Sequence, residues 1–106
     1  MPEKSSLDPV DLDPDKFDVL LENERVRVLQ AKIPTGQSHG MHWHPEHLIY
    51  TLSAYEVLDT FPGGGTKTMK RGAGELLWGD EITHATENVG ETAVHALIIE
   101  LKDETP

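Results

Sequence analysis

The sequence predicts an all-β protein, either a sandwich or a jelly-roll barrel. From Phe17 onward, short stretches rich in aliphatic and β-branched residues alternate with clusters of turn residues. No long window sustains the 3.6-residue apolar period of an amphipathic helix. Short strands that are separated by turn clusters at this spacing are typical of antiparallel sandwiches and barrels.

Nine segments have the length and composition of strands. In chain order they are 18–21, 25–33, 39–44, 48–52, 56–61, 66–70, 75–78, 83–87 and 93–102. Turn residues separate them, and the clearest cluster is Pro62-Gly-Gly-Gly65. This cluster predicts a hairpin loop, because glycine adopts positive φ without steric cost.

Residues 1–16 are predicted to form an extended acidic arm, followed by one folded domain over 17–106. The arm lacks the apolar periodicity that would bury a face, and Pro9 and Pro14 interrupt any helix interior. A mobile tail is favoured over a strand exchanged between subunits. A chain of 106 residues is long enough for a single apolar core.

Composition narrows the chemistry. The chain has no cysteine, which excludes disulfides, thiolate ligands and thiol nucleophiles and leaves imidazole and carboxylate as the strong metal ligands. Its net charge of −10 disfavours nucleic acid and anionic membranes as partners. No signal-like or membrane-spanning segment is evident, so a cytoplasmic location is expected.

Four of the six histidines are predicted to bind a metal ion. Three lie in Gly40-Met-His-Trp-His-Pro-Glu-His47, and His84 lies in a later strand. Residues two apart in a strand share a face, about 6.6–6.8 Å from each other, so His42 and His44 form a plausible chelating pair. Pro45 ends that strand, and the resulting bend can turn His47 toward the same point.

Other interpretations of these residues are less specific. The histidines could form a surface cluster without metal, and Glu46 could be a solvated neighbour or a ligand in place of His47. Asn88 could contact a ligand or cap a turn. Aromatic residues in strands, here Trp43, Tyr50 and Trp78, are expected in the core or on a cavity wall.

The histidine segment resembles the first motif of the cupins, which are small jelly-roll barrels with an internal metal site. That motif runs Gly, five residues, His-x-His, three or four residues, Glu, six residues, Gly. Gly36 and the His42-x-His44 pair match it. The Glu position is apolar here, and counting six residues back from Ala54 reaches His47, which stands in its place.

The second cupin motif is matched at its end, where three residues separate His84 from Asn88. Its Pro and Gly positions are held by Gly79 and Glu81, and its first Gly by Ala73. Several short segments, such as Leu21-Glu-Asn-Glu-Arg-Val-Arg-Val-Leu29, resemble segments of small single-domain bacterial cupins, some of which are labelled β-alanine degradation proteins. The resemblance implies a cupin-type double-stranded β-helix and a metal held by His42, His44, His47 and His84.

What the site does depends on the metal, for which Fe, Mn, Ni, Zn and Cu are candidates. Four neutral ligands leave two positions open on a six-coordinate ion, whereas tetrahedral zinc would be saturated and structural. We therefore expect either a dioxygenase-like enzyme acting on a small chelating molecule, with Glu46 as a candidate base, or a non-catalytic binder with a structural metal. A metal-free sugar-epimerase-like cupin would need a His–Asp base and a Tyr acid, and the sequence shows no such set. The resemblance also implies a homodimer.

Overall fold

The computed structural model describes residues 7–102, and its nine strands form two antiparallel sheets. The elements are α1 (Pro9–Leu12), β1 (Phe17–Glu22), β2 (Val26–Ile33), β3 (Ser38–His44), β4 (His47–Thr51), β5 (Tyr55–Thr60), β6 (Thr66–Arg71), β7 (Leu76–Gly79), β8 (Ile82–Asn88) and β9 (Val94–Leu101). The all-β prediction is confirmed, and every observed strand end lies within one residue of its predicted position.

The two sheets face each other and enclose the interior. One sheet has five strands in the order β1-β2-β9-β4-β7, and the other has four in the order β3-β8-β5-β6. The longest ladder of the five-stranded sheet joins β2 to β9, from Val26 opposite Leu101 to Ile33 opposite Val94. Inward and outward residues alternate along β9, so every second side chain enters the interior.

The apolar core forms two clusters between the sheets. The first contains Phe17, Leu29, Ala31 and Ile98, and the second contains Ile33, Val57 and Val94. Both consist mostly of aliphatic side chains from alternating strand positions. The interior near β3 is different, because buried histidines replace aliphatic residues there.

The predicted hairpin loop at Pro62–Gly65 is confirmed. It connects the antiparallel strands β5 and β6, and Phe61 and Gly65 close it through a backbone hydrogen bond of 2.8 Å. Gly63 and Gly64 have φ of 93° and 99°, a region that a residue with a Cβ enters at a steric cost.

The N-terminal segment differs from the predicted extended arm. Residues 1–6 lie outside the described residues, but Pro9–Leu12 forms one helical turn that begins after Asp8. The Asp8 carboxylate accepts a hydrogen bond from the Val10 amide, and Pro9 stands where its missing N–H costs nothing. The two prolines therefore begin and follow a helical turn rather than prevent one.

The outer face of the five-stranded sheet carries aromatic residues that were expected inside. Trp78 is 57% exposed and Tyr50 is 39% exposed, so neither belongs to the core or to a cavity wall. Within residues 7–102, no helix has the length and apolar character needed to cross a membrane.

Candidate metal centre

Three of the predicted ligands meet on the inner face of the four-stranded sheet. His42 and His44 lie two residues apart on β3, and His42 pairs directly with His84 on β8. One ring nitrogen from each of the three lies within 4.8 Å of the others. This spacing allows a single ion to contact all three at the usual metal–nitrogen distance of about 2.0–2.1 Å.

His47 reaches the interior from the opposite sheet. Pro45 and Glu46 join β3 of one sheet to β4 of the other, so the simple alternation along the chain is broken between His44 and His47. The His47 side chain is buried, and its ring centroid is 5.3 Å from that of His44. Its ring nitrogens lie outside the 4.8 Å group formed by the other three.

Hydrogen bonds from Nδ1 to backbone carbonyl oxygens fix two of these rings. His42 Nδ1 donates to the Gly40 carbonyl oxygen and His47 Nδ1 donates to the Pro45 carbonyl oxygen, each at 2.6 Å. A carbonyl oxygen only accepts, so both neutral rings carry their proton on Nδ1 and present the Nε2 lone pair. This is the tautomer that a metal ligand needs when it binds through Nε2.

A carboxylate, rather than a carbonyl oxygen, accepts the hydrogen bond from Nδ1 of His44. Glu100 lies on β9, at the end of an otherwise apolar inward row, and its Oε2 is 2.7 Å from His44 Nδ1. Arg27 contacts the other oxygen of Glu100 at 2.9 Å and also pairs with Asp8 at 2.9 Å. Burial raises the pKa of Glu100, although the Arg27 guanidinium opposes that shift.

Asp59 is the corresponding acid beside His84. Asp59 Oδ2 lies 3.0 Å from His84 Nδ1, although among residues 7–102 neither atom meets the geometric criteria for a hydrogen bond. Thr86 donates a hydrogen bond to the other Asp59 oxygen at 3.0 Å and so fixes the carboxylate. Carboxylate–histidine pairs of this kind orient metal ligands and increase their basicity.

Two of the histidines at the centre, His42 and His44, are neutral at pH 7. Burial, reinforced by the nearby His44, lowers the pKa of His42 to about 2. Burial also lowers the pKa of His44 well below its ordinary value, with His47 as the next cause. Neutral imidazoles held with Nε2 unprotonated are the donor set that late first-row divalent metals prefer, so these residues fit such an ion.

His39 is a buried histidine that the sequence did not single out. Its ring packs between Phe17 and His42 at tilted angles, with centroid distances of 4.4 and 4.1 Å. Its Nδ1 contacts Asp13 at 3.2 Å, and its Nε2 has no hydrogen-bond partner among residues 7–102. The structure places it behind the candidate metal ligands.

All four predicted ligands line one cavity of about 100 Å³. This volume is well below the roughly 300–1,000 Å³ of pockets for drug-sized ligands, so only a small molecule fits. Glu46 is exposed and borders an outer groove instead, so the structure does not support it as a ligand or as a base in this cavity. The Asn88 side chain donates hydrogen bonds to the Ile33 and Thr92 carbonyl oxygens and accepts one from the Gly90 amide, which is the turn role.

A His–Asp pair and a tyrosine are present after all. His84 and Asp59 are in contact, and Tyr55 lines the same cavity. This set is not evident in the sequence, because the contact between His84 and Asp59 depends on the register between β5 and β8. The small volume, however, argues against a sugar as the ligand.

Solved structures share this architecture. A cupin domain from Bordetella pertussis Tohama I is 26% identical, with a TM-score of 0.75 over 82% of this chain and 92% of that chain. The fold is that of the cupins. An RmlC-like cupin family protein with a double-stranded β-helix fold from Methanocaldococcus jannaschii also has it, at 13% identity and a TM-score of 0.63, over 80% of this chain and 77% of that chain.

The cupin fold alone leaves the activity open. The polyketide cyclase RemF from Streptomyces resistomycificus shares the fold at 20% identity, with a TM-score of 0.61 over 85% of this chain and 66% of that chain. Likeness at this level shows the fold and nothing about the reaction. The chain matches no protein-family model and no curated protein.

Replacing Glu100 by glutamine should weaken metal binding about 10- to 100-fold, because the carboxylate that orients His44 loses its charge. Metal affinity, measured by competition with a chromogenic chelator, tests this expectation. Glu22→Gln is the matched control, since Glu22 is an exposed acid whose ion pair with Lys102 lies outside the cavity. Equal affinities for the two variants would contradict the orienting role.

Gly79→Ala should weaken metal binding about tenfold if His47 is a ligand. A Cβ at Gly79 would overlap the Nε2 and Cε1 atoms of His47, so the ring must move. Gly65→Ala is the control, because nothing lies within 4 Å of the Cβ it would add. The same chelator competition measures both variants, and an unchanged affinity for Gly79→Ala would speak against His47 as a ligand.

Proposed function

We propose that this protein holds one divalent transition-metal ion through His42, His44, His47 and His84 and acts as a dioxygenase-like enzyme on a small chelating organic molecule. The observation that carries the proposal is the arrangement of the three ring nitrogens within 4.8 Å, with His47 facing them from the other sheet. When bound, such an ion would supply Lewis acidity and, if it is redox-active, reactivity toward O₂.

The residues around the centre support this role. Glu100 orients His44 and holds the proton on its Nδ1, and the Asp59 carboxylate lies 3.0 Å from Nδ1 of His84. Aliphatic side chains such as Ile49 and Ile98 line the same cavity and make its walls largely apolar. An apolar site with oriented donors strengthens the electrostatic interactions that activate a chelating substrate.

Two measurements test the proposal. The metal content of protein purified without an affinity tag identifies the ion, and O₂ consumption is then followed with acetylacetone as a β-dicarbonyl probe. We expect O₂ uptake and loss of the probe after reconstitution with at least one of Fe, Mn, Ni or Cu. No turnover with any of them would contradict the enzymatic role.

The alternative function is a non-catalytic small-ligand-binding cupin with a structural metal. The exposed position of Glu46 favours it, because the cavity lacks the base that the sequence suggested. Stoichiometric zinc with no labile coordinated water would support this alternative. The narrower likeness to β-alanine degradation proteins and the cytoplasmic location stay predictions of the sequence.

We also propose that the protein is a homodimer joined through the outer face of the five-stranded sheet. An uncharged row crosses all five strands through direct cross-strand pairs and consists of Leu21, Val28, Ile99, Leu48 and Trp78. Five strands about 4.8 Å apart and about 20 Å long give a face on the order of 500 Å². A standard interface uses about 800 Å² per partner, so this face supplies more than half of that area.

The net charge limits where a second copy can bind. Copies that each carry a net charge of −10 repel each other, and this repulsion is smallest where charged side chains are absent, as along this row. Trp78→Glu should therefore convert the dimer to a monomer in light-scattering measurements at micromolar concentration. Val89→Glu, which changes another exposed apolar residue in the β8–β9 turn, should leave the mass unchanged. A monomeric wild-type protein would contradict the proposal.

A further inference from the structure

The cavity that the histidines line also contains two hydrogen-bond donors, neither of which has a carboxylate or carbonyl partner among residues 7–102. Tyr55 and Arg71 are paired across β5 and β6, and both side chains line the cavity. Within residues 7–102, Arg71 forms no ion pair, and its recorded polar contact is with the Met69 sulfur at 3.4 Å. In the same part of the chain, the Tyr55 hydroxyl has no hydrogen-bond partner.

Arg71 contrasts with the other half-buried arginine. Arg27 is paired with two carboxylates, Asp8 and Glu100. The chain has nineteen acidic residues against nine basic ones, so protein partners for a guanidinium are abundant. The nearby Glu75 carboxylate instead accepts the Gly72 amide hydrogen. A guanidinium left without a carboxylate at a cavity wall is suited to an anion from outside.

The surroundings strengthen that interaction. Tyr55 and Met69 pack against the buried cluster of Ile33, Val57 and Val94, so this end of the cavity is largely apolar. A charge-assisted hydrogen bond is stronger in such a setting than in water. Burial raises the pKa of Tyr55, although Arg71 opposes the shift, so its hydroxyl remains a donor at neutral pH.

Strand geometry sets the length of the ligand. The Arg71 side chain reaches the sulfur of Met69, and Met69 pairs with Val57. Val57 lies two residues from Asp59, the acid beside His84, which corresponds to about 6.6–6.8 Å along β5. A molecule of three or four carbon atoms spans this distance and suits a cavity of about 100 Å³.

We propose that Arg71 and Tyr55 bind the carboxylate of a small organic acid whose other end carries oxygen donors directed at the four histidines. The inference deepens the proposed function and rests on it for the metal end of the molecule. It names the substrate class as short dicarboxylic or keto acids. The carboxylate accepts hydrogen bonds from the Arg71 guanidinium and the Tyr55 hydroxyl, while the apolar walls accommodate the carbon chain.

Malonate and its uncharged diamide, malonamide, test the anchor because they have nearly the same shape and differ in charge. Both are titrated calorimetrically into metal-free and nickel-loaded protein. We expect wild-type protein to prefer malonate by about tenfold or more. Arg71→Gln should remove that preference and leave malonamide binding unchanged, and Tyr55→Phe should reduce it less.

Two further variants keep the test decisive. Lys70→Gln removes the same charge from an exposed neighbour on β6 and should change malonate affinity less than threefold. Arg71→Lys keeps the positive charge but loses the planar guanidinium. If the loss in Arg71→Gln depends on the geometry of the guanidinium as well as on its charge, Arg71→Lys should bind malonate with an intermediate affinity. An unchanged malonate preference in Arg71→Gln, or an equal loss in Lys70→Gln, would overturn the anchor.

The metal-free titration separates this inference from the proposed function. Arg71-dependent malonate binding without metal supports the anchor even if the protein proves to bind no ion. Conversely, if nickel binds to the histidines but wild-type protein does not distinguish malonate from malonamide, the anchor is wrong while the metal centre stands.

Discussion

His44→Ala should lower metal affinity by at least about 100-fold, more than the loss expected from its orienting partner Glu100. His44 lies between the other candidate ligands, with ring centroids 4.9 Å from His42 and 5.3 Å from His47. It is also held by a carboxylate at 2.7 Å, so both its position and its tautomer are fixed. Isothermal titration with nickel or zinc, at matched pH, measures the loss.

Two variants make that result interpretable. His95→Ala removes a histidine on the outward row of β9, where it contacts Gln30 at 2.9 Å, and should leave metal affinity unchanged. His84→Ala provides a second ligand variant, because that side chain is 15% exposed and its loss disturbs the core less than the loss of buried His44. If His44→Ala and His84→Ala both bind metal as tightly as the wild-type protein, the centre is not a metal site.

His47→Ala distinguishes three ligands from four. A loss comparable to that of His44→Ala would place His47 in the coordination sphere, whereas a loss below about tenfold would make it a neighbour that shapes the cavity. Both outcomes are compatible with the structure, since ring nitrogens of His42, His44 and His84 lie within 4.8 Å of one another and the His47 nitrogens lie farther away.

Local patterns were sufficient to predict the strands and three clustered histidines. The alternation along β9 and the glycine-rich loop before β6 are properties of neighbouring residues, so the sequence contains them directly. The spacing of His42 and His44 likewise fixes a shared face once β3 is recognised. The sharp bend at Pro45 also predicted that His47 would turn inward, because β4 joins the other sheet.

The acids behind the histidines could not be predicted in the same way. Glu100 contacts His44 across 56 positions of sequence, and that contact depends on how the two sheets face each other. One local signal was available, since Glu100 follows Val94, Ala96 and Ile98 on the inward row of β9, where a charged residue is unusual. Asp59 follows Val57 on β5 in the same manner.

The helical turn at Pro9–Leu12 was missed for a different reason. Asp8 followed by Pro9 is a helix-start signal, but proline was interpreted only as a helix breaker. The turn places Asp8 on Arg27 and Asp13 on His39, so the N-terminal segment supports the residues behind the metal ligands.

Metal-free protein should lose stability steeply as the pH falls below about 6.5. Burial lowers the pKa of His42 to about 2 and that of His44 well below its ordinary value. Below pH 6.5 the unfolded chain therefore binds protons that the folded chain does not, and the free energy of unfolding decreases. His42, whose pKa falls to about 2, contributes about 1.4 kcal/mol per pH unit and so removes about 3 kcal/mol by pH 4.5, and His44 acts in the same direction.

That loss is a large share of the roughly 5–15 kcal/mol by which small domains are stable. Glu100 acts in the opposite direction near the acid end of this range, because burial raises its pKa and the folded state then binds a proton more readily than the unfolded state. Urea unfolding in EDTA at pH 7.5, 5.5 and 4.5 measures the net slope. His42→Gln should reduce the slope by about half and His95→Gln should leave it unchanged, since only His42 lies in the buried cluster. A wild-type slope near zero between pH 6.5 and 4.5 would mean that the histidines bind protons equally well in the folded and the unfolded state. They could not then be the buried, neutral ligands that the metal centre requires.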